Sequence, residues 1–121
     1  MCLEIKKSDR IKFTWFKPIV VYKLLYRSSK NELLTIYRDK KVKIGRRYFS
    51  FLFRKHDEVN RGLHSLSDID QAWRFKSRKE TLVECQIPKF SWYYQGKFYG
   101  LDSIASSSLK YIRILESNPE K

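Results

Sequence analysis

The chain has 121 residues, a formal charge of +13 from 26 Lys and Arg against 13 Asp and Glu, and 42% hydrophobic and 16% aromatic residues. That is one domain over 1–121, with a charged lead-in over 1–10 and a tail over 117–121, and it is too apolar for a disordered chain. The charge favours polyanions, meaning nucleic acid, nucleotides or an anionic membrane face, or an acidic protein partner.

No apolar run approaches the roughly 18 to 20 residues of a membrane span, and the N-terminal residues lack the apolar core of a signal peptide. The two cysteines, Cys2 and Cys85, are joined only by His56 and His64. This argues against a closed zinc site and for a reducing, cytoplasmic setting.

In chain order, residues 3–5 can form a short strand, and 11–16 alternate as a strand stopped by Pro18. Ile19–Arg27 is the clearest strand. Val20, Tyr22, Leu24 and Tyr26 give it one wholly apolar face, which reads as the inner one. Ile19, Val21, Lys23, Leu25 and Arg27 make the mixed face. Residues 28–31 are a polar turn, and 32–38 return as a hairpin partner. Val42 and Ile44 point one way between Lys41 and Lys43, and Gly45 allows a second turn. Over 46–54, Phe49, Phe51 and Phe53 share a face at period two and read as core, with Tyr48, Ser50 and Leu52 opposite.

Residues 56–61 read as a polar loop closed by Gly62. Ser67 reads as an N-cap, with Asp70 completing a capping-box-like pair. The helix it starts runs over 68–77, with Ile69, Ala72 and Trp73 inward. Residues 81–87 form a strand with Val83, Cys85 and Ile87 inward, ended by Pro88. Gln95-Gly96 reads as a tight hairpin turn between 90–94 and 97–99. Residues 101–108 read as a loop or single helical turn, and 109–115 as the last strand. The sum is an α+β domain, mainly antiparallel: a curved sheet or partly open barrel of about seven strands with one main helix.

No phosphate loop, dinucleotide-binding glycine pattern, zinc-protease motif or nucleophile elbow occurs. Asp68 and Asp70 suit a helix start better than a metal, and no residue pattern calls for a cofactor. His64, following Gly62 at the mouth of the helix, is the one candidate general acid or base, with no other catalytic candidate beside it. The strongest pattern is the mixing of aromatic and basic residues. Exposed Tyr or Trp beside Arg is what stacking on bases and pairing with phosphates require. The candidate phosphate contacts are Arg46, Arg47, Arg54, Arg74, Arg78 and Lys79, and the candidate stacking residues are Trp92, Tyr93 and Tyr94.

The order of an early strand Tyr22-Lys23-Leu24-Leu25-Tyr26, then Gly62-Leu63-His64-Ser65, a helix holding Ala72, a strand Val83-Glu84-Cys85-Gln86-Ile87-Pro88 and a final strand resembles small uncharacterised proteins of bacteria and their phages. More distantly, it is similar to the ADP-ribosyltransferase fold. The sequence has no Ser-Thr-Ser strand and no Glu-x-Glu or Gln-x-Glu element. The resemblance therefore implies a phage origin and a nucleotide-sized cleft near His64 rather than transferase activity.

The leading expectation is a small, basic, non-enzymatic protein that binds RNA or single-stranded nucleic acid, fitting a phage accessory protein that acts on host nucleic-acid machinery. Two others stand beside it. One is an ADP-ribosyltransferase-like nucleotide-binding protein or enzyme with its cleft at His64. The other is an interaction module that docks on an acidic protein.

Overall fold

A computed structural model describes residues 3–6, 9–30, 32–35, 40–55 and 58–115. In chain order its strands are β1 (Leu3–Glu4), β2 (Lys12–Phe13), β3 (Ile19–Arg27), β4 (Leu33–Thr35), β5 (Lys41–Val42), β6 (Arg47–Phe49), β7 (Phe53–Lys55), β8 (Glu58–Arg61) and β9 (Leu63–Leu66). The helix α1 (Ile69–Phe75) follows, then β10 (Glu80–Ile87), β11 (Trp92–Phe98), β12 (Leu101–Ser106) and β13 (Ser108–Leu115). The strands form one sheet in the order β6-β13-β10-β3-β9-β12-β11-β1-β8-β7, with β2 added to β11, and β4 and β5 added to β3.

This overturns the expected α+β domain of about seven strands. Among the described residues there are thirteen strands, paired antiparallel in an open sheet, and a single seven-residue helix. The surplus comes from β8 and β12, which lie where loops were expected, and from residues 46–54, which divide into β6 and β7. Such segments carry too little one-sided periodicity to be read from sequence, because pairing with a neighbour defines them.

The sheet centres on β3, whose β-branched and aromatic residues suit a pleated surface. It pairs with β10 along its length, from Ile19↔Ile87 to Tyr26↔Glu80. Four pairings separate β13 from β12 in the sheet order, yet only Ser107 lies between them in the chain. The sheet must therefore wrap back at that end. Its inner face holds the main core, with Val21, Leu25, Val83, Cys85, Ile87, Ile104, Leu109 and Tyr111 buried together. The outer face carries α1, where Ala72 packs with Leu24, Leu66 and Leu82. A smaller outer cluster joins Leu3, Ile5, Val59 and Ala105. Among the described residues no helix is long and apolar enough to cross a membrane.

Several local readings change. In β3 the mixed face is the inner one, since Val21 and Leu25 are fully buried while Val20 and Tyr26 are exposed. Residues 46–54 are not one strand. Tyr48 packs on the core edge-to-face with Tyr111 at 5.5 Å, and Leu52 joins the smaller cluster. Phe49, Phe51 and Phe53 face outward, and Phe51 is 84% exposed. Period two separates the two faces but does not say which is inside.

The predicted turn at Gln95-Gly96 lies within β11. The hairpin turns at Tyr99-Gly100 instead, where φ is positive at both residues, 49° and 77°, as a two-residue hairpin turn requires. Glycine is needed at 96 for another reason: a side chain there would collide with the Glu4 carbonyl oxygen of β1. The predicted loop over 101–108 is β12 and the start of β13, with Ser103, Ser106 and Ser108 buried. The predicted loop over 56–61 holds β8, and its residues 56 and 57 lie outside the described ones, as do 36–38 of the predicted hairpin partner.

The helix cap also moves by one residue. Asp68 rather than Ser67 caps α1, its Oδ1 accepting from Asp70 N at 2.9 Å and Gln71 N at 3.3 Å. Losing an N-cap costs about 1 kcal/mol. Asp68→Ala is expected to lower stability by about that much in denaturant melts, and Ser67→Ala to leave it nearly unchanged.

Candidate nucleic-acid interface

Where the chain passes from β12 to β13 it builds a corner from hydrogen bonds. Ser107 N donates to Trp92 O at 2.9 Å, Trp92 N donates to Ser107 Oγ at 3.0 Å, and Ser50 N donates to Ser107 O at 3.0 Å. One serine thus ties the start of β11 to the segment that leaves β6.

Beside it, Thr14 fixes a second segment. Thr14 N donates to Ser91 O at 2.9 Å, Thr14 Oγ1 donates to Pro88 O at 2.7 Å, and Ser91 N donates back to Thr14 Oγ1 at 2.8 Å. Phe90 is held at a φ of 65° by this clasp. Backbone conformations of this kind persist only where the surroundings over-determine them.

These two anchors display aromatic rings. Phe13 lies 4.5 Å from Trp15, 4.5 Å from Trp92 and 6.4 Å from Phe90, centroid to centroid. Trp15 is 61% exposed, Phe16 87% and Phe90 64%. Lys12, Lys17 and Lys89 are exposed around them. Lys89 Nζ sits 5.8 Å from the Phe90 centroid, within the range of a cation–π contact. An exposed apolar patch of this kind is a candidate interaction site.

Arg47 and Phe49 belong to the same corner through Ser50. The Arg47 guanidinium lies 5.4 Å from the Phe49 ring centroid, and its Nε donates to Ser108 Oγ at 3.1 Å. Directly opposite Arg47 in the β6–β13 pairing stands Lys110, which is also exposed. Like charges directly opposite on paired strands are destabilising, and an anion between them removes that cost.

The predicted site residues therefore divide. Arg46, Arg47 and Trp92 sit at or next to this corner and are exposed. Tyr93 and Tyr94 are half-buried, packed against the main and the smaller core respectively. Arg54 is half-buried, donating to the carbonyls of Asp9 and Lys6 and lying 5.7 Å over the Tyr94 ring. It holds the N-terminal segment to the sheet. Arg74 on α1, Arg78 and Lys79 are exposed, and Arg78 and Lys79 precede β10, whose length puts about 23 Å between them and the aromatic corner. Phe13, Trp15, Phe90 and Lys110 were missed by the sequence reading. The signal was present in the alternation of aromatic and basic residues over 11–17, which reads equally as a core strand.

His64 stands elsewhere. It is buried, with Nδ1 3.1 Å from Gly62 O and Nε2 3.4 Å from Val59 O. Burial, reinforced by the charge of Lys23, pushes its pKa down to about 4. Both ring nitrogens face backbone carbonyls, of which the neutral ring can donate to one, and His64 also lines the cavity beside it.

Near His64 the sheet forks. β9 pairs with β3 only at Tyr22↔Leu66, and from Leu25 onward β4 takes that edge. The fork holds a cavity of about 290 Å³, lined among others by Lys23, Leu24, Leu63 and Leu66. Cys85 is a buried thiol whose pKa burial pushes up to about 12. Among the described residues no cluster of three or more His, Cys, Asp or Glu is placed to hold a metal ion. Comparison with protein-family models, curated proteins and solved structures finds no match to this chain.

Proposed function

We propose that the protein binds single-stranded nucleic acid, RNA or DNA, across the corner at Ser107. The observation that carries this reading is the exposed group of Trp15, Phe90 and Trp92 held around Phe13. Around it stand Lys12 and Lys89, with Arg47 and Lys110 close by on the adjoining strands. Flat exposed rings stack on unpaired bases, and every base offers a π-face, so such binding tolerates sequence. The cations supply phosphate contacts, and the overall charge of +13 draws the strand in. A duplex would hide its bases from these rings. In this reading the protein performs no reaction.

Charge reversal at Arg47 tests the reading. Arg47→Glu places a carboxylate opposite Lys110 and gives a cross-strand ion pair worth about 0.2–1 kcal/mol, offsetting the lost bond to Ser108. Stability is expected to hold within about 1 kcal/mol while affinity for a labelled single-stranded oligonucleotide falls. The slope of log affinity against log salt should flatten by about 0.7 or more, one phosphate contact being gone. Unchanged binding and slope would remove Arg47 from the interface.

A further inference from the structure

The cavity at the sheet fork meets the aromatic corner only through Phe49 and Ser50 on its lining and serves nothing described so far. We propose that it binds a small amphipathic carboxylate, whose apolar body lies among Leu24, Leu63, Leu66 and Phe98 and whose carboxylate pairs with the Lys23 ammonium. The proposal rests on residues other than those of the nucleic-acid interface.

Lys23 projects from the inner face of β3 beside Val21 and Leu25. The residue is half-buried and its ammonium is enclosed. Because β9 has swung away from β3 at this level, the His64 carbonyl has no backbone donor from β3, and Lys23 Nζ donates to it at 3.0 Å. An ammonium carries three N–H donors, so this bond leaves the others for a ligand. Among the described residues no carboxylate lies within ion-pair distance of Lys23. An enclosed cation without a counter-charge is costly, and an anion restores the balance.

The walls are mostly apolar, with the Ser65, Ser103 and Thr35 positions also lining the space. Apolar walls with a few convergent polar groups describe a small-molecule site, and about 290 Å³ is just below the range of about 300–1,000 Å³ typical of such sites. That size suits a compact acid better than a polymer.

The charges around the amine set the pH behaviour. His64 acts on it from β9 and Cys85 from β10, while Glu80, Lys40 and Tyr22 also line the cavity. Burial lowers the Lys23 pKa from its ordinary value. The carboxylate binds the protonated amine, so affinity is full between the acid's own pKa and the lowered Lys23 pKa and falls tenfold per pH unit above the latter. Binding draws a proton from solvent wherever the free amine is neutral.

Calorimetric titration of the full chain with naphthalene-2-carboxylate and with its neutral amide tests the site. The acid is expected to bind at least tenfold tighter than the amide, with proton uptake that shows as a buffer-dependent heat. Lys23→Met should bring the acid down to the level of the amide, while Trp15→Ala should leave both titrations unchanged. In the wild-type chain, lysine Nζ NMR should show the Lys23 pKa rising with the acid and not with the amide, a readout that stands even if Lys23→Met fails to fold. Absence of binding, equal affinity for acid and amide, loss of binding in Trp15→Ala, or a Lys23 signal that the acid does not move would each overturn the proposal.

Discussion

Trp15→Ala and Trp92→Ala are each expected to weaken binding of single-stranded RNA by about five- to a hundredfold, because one stacked base is worth about 1–3 kcal/mol. The double variant should lose measurable binding at moderate salt. Both rings are exposed and each lies 4.5 Å from the Phe13 ring, centroid to centroid. An aromatic pair contributes about 0.5–1.5 kcal/mol, so each variant should stay folded with a slightly lower melting temperature. Of the three tryptophans, Trp73 packs on the helix cluster. Nucleic acid should therefore quench the emission of Trp15 and Trp92 and spare that of Trp73. If the face serves an acidic protein instead, these variants would leave RNA binding as it was.

Acid should destabilise the protein through His64. Its pKa is about 4 in the folded protein against the ordinary 6.5, so the folded state favours the neutral ring. Stability from this group is full above pH 6.5 and drains away as pH falls towards 4. The whole span is worth about 3 kcal/mol, applied to a ring that is 8% exposed. Denaturant melts from pH 7 to 4 should show this loss in the wild type and a visibly shallower one in His64→Gln, which keeps a donor for a backbone carbonyl but does not titrate. Carboxylates titrate in the same window in both proteins, so the difference between the curves is the informative quantity. Superimposable curves would mean the ring is not enclosed as described.

Sequence periodicity was informative where an element is long and one-sided. Ile19–Arg27 is a strand as read, residues 81–87 fall within β10 with Val83, Cys85 and Ile87 buried, and Ala72 is the inward residue of the helix. It failed where tertiary pairing sets the outcome. The serines over 103–108 look like a loop, but inside the sheet they satisfy their hydroxyls on nearby carbonyls. Ser103 Oγ donates to Leu101 O at 3.0 Å and Ser106 Oγ to Ser108 O at 2.9 Å.

Gly96 looked like a turn residue because glycine suits turns, whereas here it admits a neighbouring backbone. Phe49, Phe51 and Phe53 looked like core because hydrophobic residues usually are, and the corner at Ser107 turns them to solvent. The cations were visible by type but not by place. Arg47 and Arg74 read alike in sequence, and only the pairing of β6 with β13 brings one of them to the aromatic face.

Ultraviolet cross-linking of the full chain to a single-stranded oligouridylate, followed by mass mapping of the modified peptides, tests the interface most directly. Adducts are expected on the segments that carry Phe13 to Phe16 and Phe90 to Trp92, with weaker ones near Phe49 and Phe51, and they should vanish as salt is raised. Adducts confined to the Arg74 to Lys79 end of β10, or none at low salt, would contradict a single strand lying across the corner at Ser107.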